Sequence, residues 1–350
     1  MPHPRRLLRA AAATLSIATA ISIGTSAAAA NPHRHHLRKV VEPTHKYYGV
    51  YVSQAPASMA PVDRVTQQTG KQPNMSLFYN AWGTAAAAGT ANVNVTAIGN
   101  ACQAGMLPML TWESWNTADT DSHGVAWSQP EFAPSLIAGG EYDAYIRAVA
   151  DKLKAAPCPV ALRLDQEVNS YWYPWGLKTD GMTNTASDYV AMWQHIWTIF
   201  HNEGVSNVLW VWSPNVQSFR HTGLPDLAAS YPGDRYVDWV GIDGYITSPD
   251  QSFHDRFQPT FDQIRAFAPD KPWIIAECGV ATNASKPHQL KNVVSAVARR
   301  KRLVGLNYFD TSKSTGNYLL DETDETLTAF KKAIANPVFA AGVPGQPPGV

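Results

Sequence analysis

Short runs of apolar and β-branched residues recur along this chain, each followed by a polar loop and usually by a stretch with helical spacing. The runs are Tyr47–Val52, Met75–Trp82, Leu107–Trp112, Val160–Leu164, Val208–Trp212, Trp239–Tyr245, Trp273–Glu277 and Val304–Phe309. Between them, Tyr142–Ala155, Ala186–Glu203 and Lys291–Lys301 repeat apolar residues at helical intervals with charges on the outer positions. Eight strands alternating with helices predict an α/β fold in one domain, a closed (β/α)8 barrel of the TIM type. The competing open, doubly wound sheet usually carries a Gly-rich phosphate loop after its first strand, and none follows Tyr47–Val52.

The two ends break this pattern. Arg5, Arg6 and Arg9 precede an Ala-rich apolar run, and Ala28-Ala29-Ala30 offers a small-residue cleavage site, so residues 1–30 read as a signal peptide. The run is shorter than the roughly 20 residues needed to cross a bilayer and is interrupted by Thr and Ser. A secreted, extracellular protein is expected, with no membrane attachment after cleavage. Residues 31–46 are basic, His-rich and aperiodic, which predicts a flexible leader. The barrel is expected over 47–337, and residues 338–350, Pro/Gly-rich, as a flexible tail.

Composition narrows the partners. Lys+Arg and Asp+Glu are 28 each, so no bulk field draws the chain to nucleic acid. Charged residues are only 16%, whereas Trp reaches 12, an enrichment that needs a cause. Export makes disulfides possible. Cys102 and Cys158 each stand just before a predicted strand, at one end of the sheet, so they either pair, leaving Cys278 alone, or all three are buried thiols. Without a C-x-x-C no metal site is expected. A monomer is expected.

In a barrel of this type the reacting groups lie at the C-terminal ends of the strands. Those ends carry Trp82, Trp112-Glu113-Ser114-Trp115, Asp165-Gln166-Glu167, Trp212-Ser213-Pro214-Asn215, Asp243-Gly244-Tyr245, Glu277 and Tyr308. Six Trp residues (82, 112, 115, 172, 175 and 212) fall at or after strand ends. Aromatic faces stack on sugar rings, so all six, Trp112, Trp172, Trp175 and Trp212 among them, are candidates for lining a carbohydrate cleft. Glu167 and Glu277 follow strands that face one another across the mouth. Glycoside hydrolysis requires such a pair, one carboxylic acid to protonate the leaving oxygen and one carboxylate to attack or activate water.

At these residues the chain resembles glycoside hydrolase family 26, the β-mannanases and related β-glucanases. QEVNSYWYPWG is similar to that family's H-E-M-N-G-x-W-Y-P-W-G segment, and VLWVWSPN, YPGDRYVDWVGIDGY, KPWIIAECG and TWES resemble its other blocks in the same order. The resemblance implies a retaining mechanism without metal or organic cofactor. It also implies Glu167 as acid/base, Glu277 as nucleophile, Tyr245 and Asp243 as supports of the nucleophile, and Trp172, Trp112 and Tyr308 as aromatic cleft positions. Gln166 replaces the family's His beside the acid/base, near the sugar that distinguishes mannose from glucose. The expected activity is endo-hydrolysis of a β-linked polysaccharide, β-1,4-mannan or glucomannan first. Mixed-linkage β-1,3-1,4-glucan and a non-catalytic carbohydrate-binding barrel are the alternatives.

Overall fold

The computed structural model describes residues 1, 32–119, 128–216 and 226–339. Apart from Met1, the expected signal peptide lies outside the described residues. The parallel strands β1 (Tyr47–Tyr51), β2 (Met75–Ala81), β3 (Leu107–Glu113), β4 (Val160–Leu164), β5 (Val208–Trp212), β6 (Trp239–Ile246), β7 (Trp273–Val280) and β8 (Leu303–Phe309) close in chain order into a barrel. Helices α1 (Pro32–Val41), α2 (Ala60–Thr69), α3 (Val95–Gln103), α4 (Pro134–Ala138), α5 (Asp143–Lys154), α6 (Ala186–Asn202), α7 (Phe253–Phe267), α8 (Lys286–Arg299) and α9 (Asp324–Ile334) accompany them. The alternation predicted this (β/α)8 architecture.

Side chains alternate between the two faces of each strand, and that parity sorts the barrel into layers. Met75, Leu77, Leu107, Met109, Ala161, Leu209, Val211 and Ile274 fill the interior as one apolar plug. Along the same inward series, the C-terminal ends change to Tyr79, Glu113, Arg163, Asp243 and Tyr245, so a polar mouth sits on a packed apolar floor. Outward positions meet the helices. Trp112 packs against Tyr145 of α5 and Phe200 of α6, and Trp210 against Trp193 of α6. Where β8 returns to β1, a Cβ on Gly305 would stand 2.5 Å from that of Tyr47, so glycine is what lets the two strands approach.

Local signals set the helix starts. Thr185 with Asp188 and Ser252 with Asp255 form capping boxes on α6 and α7. Helix α8 begins at Lys286, earlier than predicted, with Pro287 in the first turn, where its missing N–H costs nothing.

The flexible leader expected over 31–46 needs correction. Pro32–Val41 form a helix, Val40 is fully buried, and Tyr47 and Trp239 donate to the carbonyls of Val40 and Val41. Nor does a loose tail begin at 338, because Phe339 is buried and bridges Lys46; residues 340–350 lie outside the described residues. Cys102 and Cys158 are bonded, with Cα atoms 5.7 Å apart, and Cys278 is a buried free thiol. Among the described residues no helix is long and apolar enough to cross a membrane.

Candidate active site

The turn after β4 is the most constrained backbone at the barrel mouth. Asp165 and Glu167 adopt left-handed φ values of 38° and 56°, which non-glycine residues rarely tolerate. Surrounding bonds hold them there. Ser114 donates its N–H and hydroxyl to the Asp165 carboxylate at 2.8 and 2.7 Å, Tyr189 its hydroxyl to the Asp165 carbonyl at 3.0 Å, and Trp175 its indole N–H to the Gln166 carbonyl at 2.6 Å. The Glu167 N–H reaches the Ser213 carbonyl at 2.6 Å. Gly176 lets the following loop fold tightly, since a Cβ there would lie 2.7 Å from the Ser170 carbonyl oxygen. Glu167 is thereby fixed at the mouth, accepting hydrogen bonds from Trp172 Nε1 at 2.7 Å and Asn215 Nδ2 at 2.6 Å. Asn169 and Asn215 bond each other through side chain and backbone, which holds the second donor in place.

Glu277 reaches the mouth by a different device. The β6–β7 register pairs Ile242 with Ile275 but Asp243 with Glu277, so Ala276 is an extra residue and the strand bulges. The bulge turns Glu277 inward where strict alternation would turn it out. Its Oε2 accepts from Tyr245 at 2.6 Å, and its Oε1 from Tyr79 and, at 2.7 Å, from Arg163. Arg163 also donates to Thr111 Oγ1 at 3.0 Å and to Asp243, whose carboxylate accepts from Ser213 at 2.9 Å. Asp243 thus acts on Glu277 through the shared guanidinium rather than by contact.

These surroundings push the two glutamates in opposite directions. Burial would raise Glu277, but Arg163, Lys313 and the hydroxyls of Tyr245 and Tyr79 outweigh it and bring its pKa down to about 2. Glu167 is raised, first by burial and then by the charge of Glu277, against the smaller opposing effects of Arg163, Asn215 and Trp172. Glu113 is a third buried glutamate, raised to about 7 by burial although Gln166 and Trp115 donate to it.

A cleft of about 400 Å³ contains Glu167 and Glu277 together with Trp172, Tyr245, Arg256, Lys313 and Tyr318. Trp172 therefore lines the cleft beside Glu167. Trp112, Trp175, Trp212 and Tyr308 do not, and their expected substrate contacts are corrected: all four are fully buried. Trp112 and Trp212 are outward positions of β3 and β5 packed among helix side chains, Tyr308 packs on Phe330 of α9, and Trp175 lies behind Tyr173, stacked on it at 4.5 Å. Gln166 is also fully buried, with its amide donating to Glu113 at 2.6 Å.

Sequence reasoning missed Arg163, Tyr79, Lys313 and Arg256, and gave Asn215 no role. Arg163 had a visible signal, a lone cation inside the apolar run VALRL, since buried Arg is rare unless paired. Tyr79 continues the inward series Met75, Leu77. Arg256 lies on α7 and Lys313 in a two-residue strand after the barrel, and neither left such a trace.

The chain is a closed (β/α)8 barrel with two buried glutamates in one cleft at its mouth. The chain belongs to glycosyl hydrolase family 26, whose family model matches residues 53–317. It is 31% identical over 258 residues to Endoglucanase H of Acetivibrio thermocellus, covering 70% of this chain and 26% of that protein. It is 26% identical over 194 residues to a mannan endo-1,4-beta-mannosidase of Bacillus subtilis, covering 52% of this chain and 49% of the relative. The chain thus spans about a quarter to a half of the length of these relatives. In fold it is similar to a GH26 beta-mannanase from Bacteroides ovatus, with a TM-score of 0.66, 18% identity and coverage of 89% of this chain and 95% of that one. An endo-beta-1,4-mannanase from Cellulomonas fimi gives the same TM-score and identity, over 89% and 76%.

Proposed function

We propose that this chain is an exported, retaining endo-β-glycosidase that cleaves β-1,4-mannan or glucomannan. The observation that carries this reading is a pair of glutamates in one cleft, Glu277 held by Tyr245, Tyr79 and Arg163 and Glu167 by Trp172 and Asn215. Ionised Glu277 attacks the anomeric carbon as the glycosidic C–O bond breaks, and protonated Glu167 gives its proton to the leaving oxygen. Glu167, now a carboxylate, takes a proton from water, whose oxygen attacks the anomeric carbon and releases Glu277. Tyr245, Tyr79 and Arg163 keep Glu277 ionised and oriented, and Trp172 offers a stacking face beside Glu167. Mannan is favoured by the names of the Bacillus, Bacteroides and Cellulomonas proteins.

A second substrate, mixed-linkage β-glucan, has specific support in the relative named Endoglucanase H and in Gln166 beside the acid/base. Reducing-sugar release from mannan, glucomannan, lichenan and xylan separates the two. Mannan and glucomannan should fall to short oligosaccharides, and Glu167→Ala and Glu277→Ala should each lose on the order of a hundredfold or more. Cleavage of lichenan without mannan moves the substrate to the second reading. Binding without release from any polymer overturns the enzyme reading in favour of a sugar-binding barrel.

A further inference from the structure

Arg256 has no part in the proposed chemistry, yet it lines the same cleft. It sits in the first turn of α7, where the helix macrodipole disfavours a cation, so helix stability does not account for it. Its Nε is buried without a hydrogen-bond partner, and no carboxylate among the described residues forms an ion pair with it. Burial lowers its pKa, and the carboxyl that bears on it electrostatically is Glu167, whose own surroundings favour the protonated form. A second cation, Lys313, enters the cleft from the segment after β8. It donates to the Tyr245 hydroxyl at 3.3 Å and lies 3.7 Å from the centre of the Phe309 ring, and its charge bears on Glu277 without a direct ion pair. A partly desolvated guanidinium facing an open cleft is costly unless a ligand supplies the missing negative charge.

We infer that the cleft accepts a sugar bearing a carboxylate, a uronic acid within or branching from the polysaccharide, bound on the Glu167 side with Arg256 as its anchor and Lys313 as a second positive charge. This rests on the glycosidase reading above and narrows its substrate class. The planar fork of Arg256 suits a carboxylate better than a hydroxyl, since two parallel N–H···O bonds can form. The zero net charge of the whole chain does not oppose this, because recognition depends on the local field.

The test compares neutral glucomannan and lichenan with the same polymers after oxidation of a fraction of their 6-hydroxyls to carboxylates. Wild type should cut the oxidised form of its backbone at least as fast as the neutral form. Added salt should lower the oxidised-to-neutral ratio of kcat/KM, and product mapping should place the acidic sugar next to the new non-reducing end. Arg256→Gln should lower that ratio roughly tenfold. An unchanged ratio in the variant, or a wild-type ratio insensitive to salt, overturns the inference and leaves Arg256 as a ligand of neutral hydroxyls. If neither the neutral nor the oxidised polymers are cut, the glycosidase reading fails, whereas cleavage with an unchanged ratio removes the inference alone.

Discussion

Glu277 accepts from two tyrosine hydroxyls and a guanidinium, whereas Glu167 accepts from an indole N–H and an amide. On the proposed mechanism activity needs Glu277 ionised and Glu167 protonated, so the rate falls in acid through Glu277 and in alkali through Glu167. Asn215 stabilises the charged form of Glu167, so Asn215→Ala should raise the Glu167 pKa and move the alkaline limb of kcat/KM up by about one pH unit. An acid limb that moves up while the alkaline limb stays in place would mean that Glu167 works ionised. Stability has its own pH signature. Glu277, depressed from 4.5 to about 2, contributes stability that is present above 4.5 and lost as pH falls through about 2. Glu113 has the opposite sign: raised from 4.5 to about 7, it contributes stability present below 4.5 and lost as pH rises through about 7. Glu113→Gln should flatten that decline, which amounts to about 3 kcal/mol at most, in denaturant unfolding between pH 5 and 7.

At the level of elements, the strands and several helices were legible because buried strands leave apolar runs and amphipathic helices leave periodic ones. The aromatic lining was misread for an equally physical reason. Neighbours on a regular strand face opposite ways, so with Glu113 inward at the end of β3, Trp112 had to face the helices, and Trp212 beside inward Val211 likewise. Glu277 escaped this rule only through the β7 bulge, which no local residue pattern announces. Helix α1 was hidden because a His- and Arg-rich segment offers few apolar residues, and Val40, with Leu37 and Val41 packed beside it, is what seats it. The correction is testable by contrast. Trp212→Ala should cost about 3–5 kcal/mol of stability, read by denaturant unfolding, with KM little changed in the folded fraction. Trp172→Ala should spare stability and lower kcat/KM. The reverse result would return Trp212 to the cleft.

Across the whole molecule, the barrel brings together groups that the chain keeps far apart. Arg163 on β4, Asp243 and Tyr245 on β6, Glu277 on β7 and Tyr79 on β2 converge because all are inward positions at C-terminal strand ends, above one apolar plug. The sequence revealed the two glutamates through their strand-end placement. Of the cations only Arg163 left a trace, as a lone charge in an apolar run, and its partners are fixed only once the barrel closes. The disulfide lies at the opposite end of the strands, joining α3 to the start of β4, and so braces the barrel away from the cleft. The central claim is that Glu277 carries the sugar between the two steps. A 2-deoxy-2-fluoro β-glycoside with a good leaving group slows release of that intermediate, and peptide mass spectrometry after digestion then locates it. A single glycosyl ester is expected on Glu277, in the peptide containing KPWIIAECG. Label on Glu167 or Glu113, or turnover with inversion at the anomeric carbon and no ester, would contradict it.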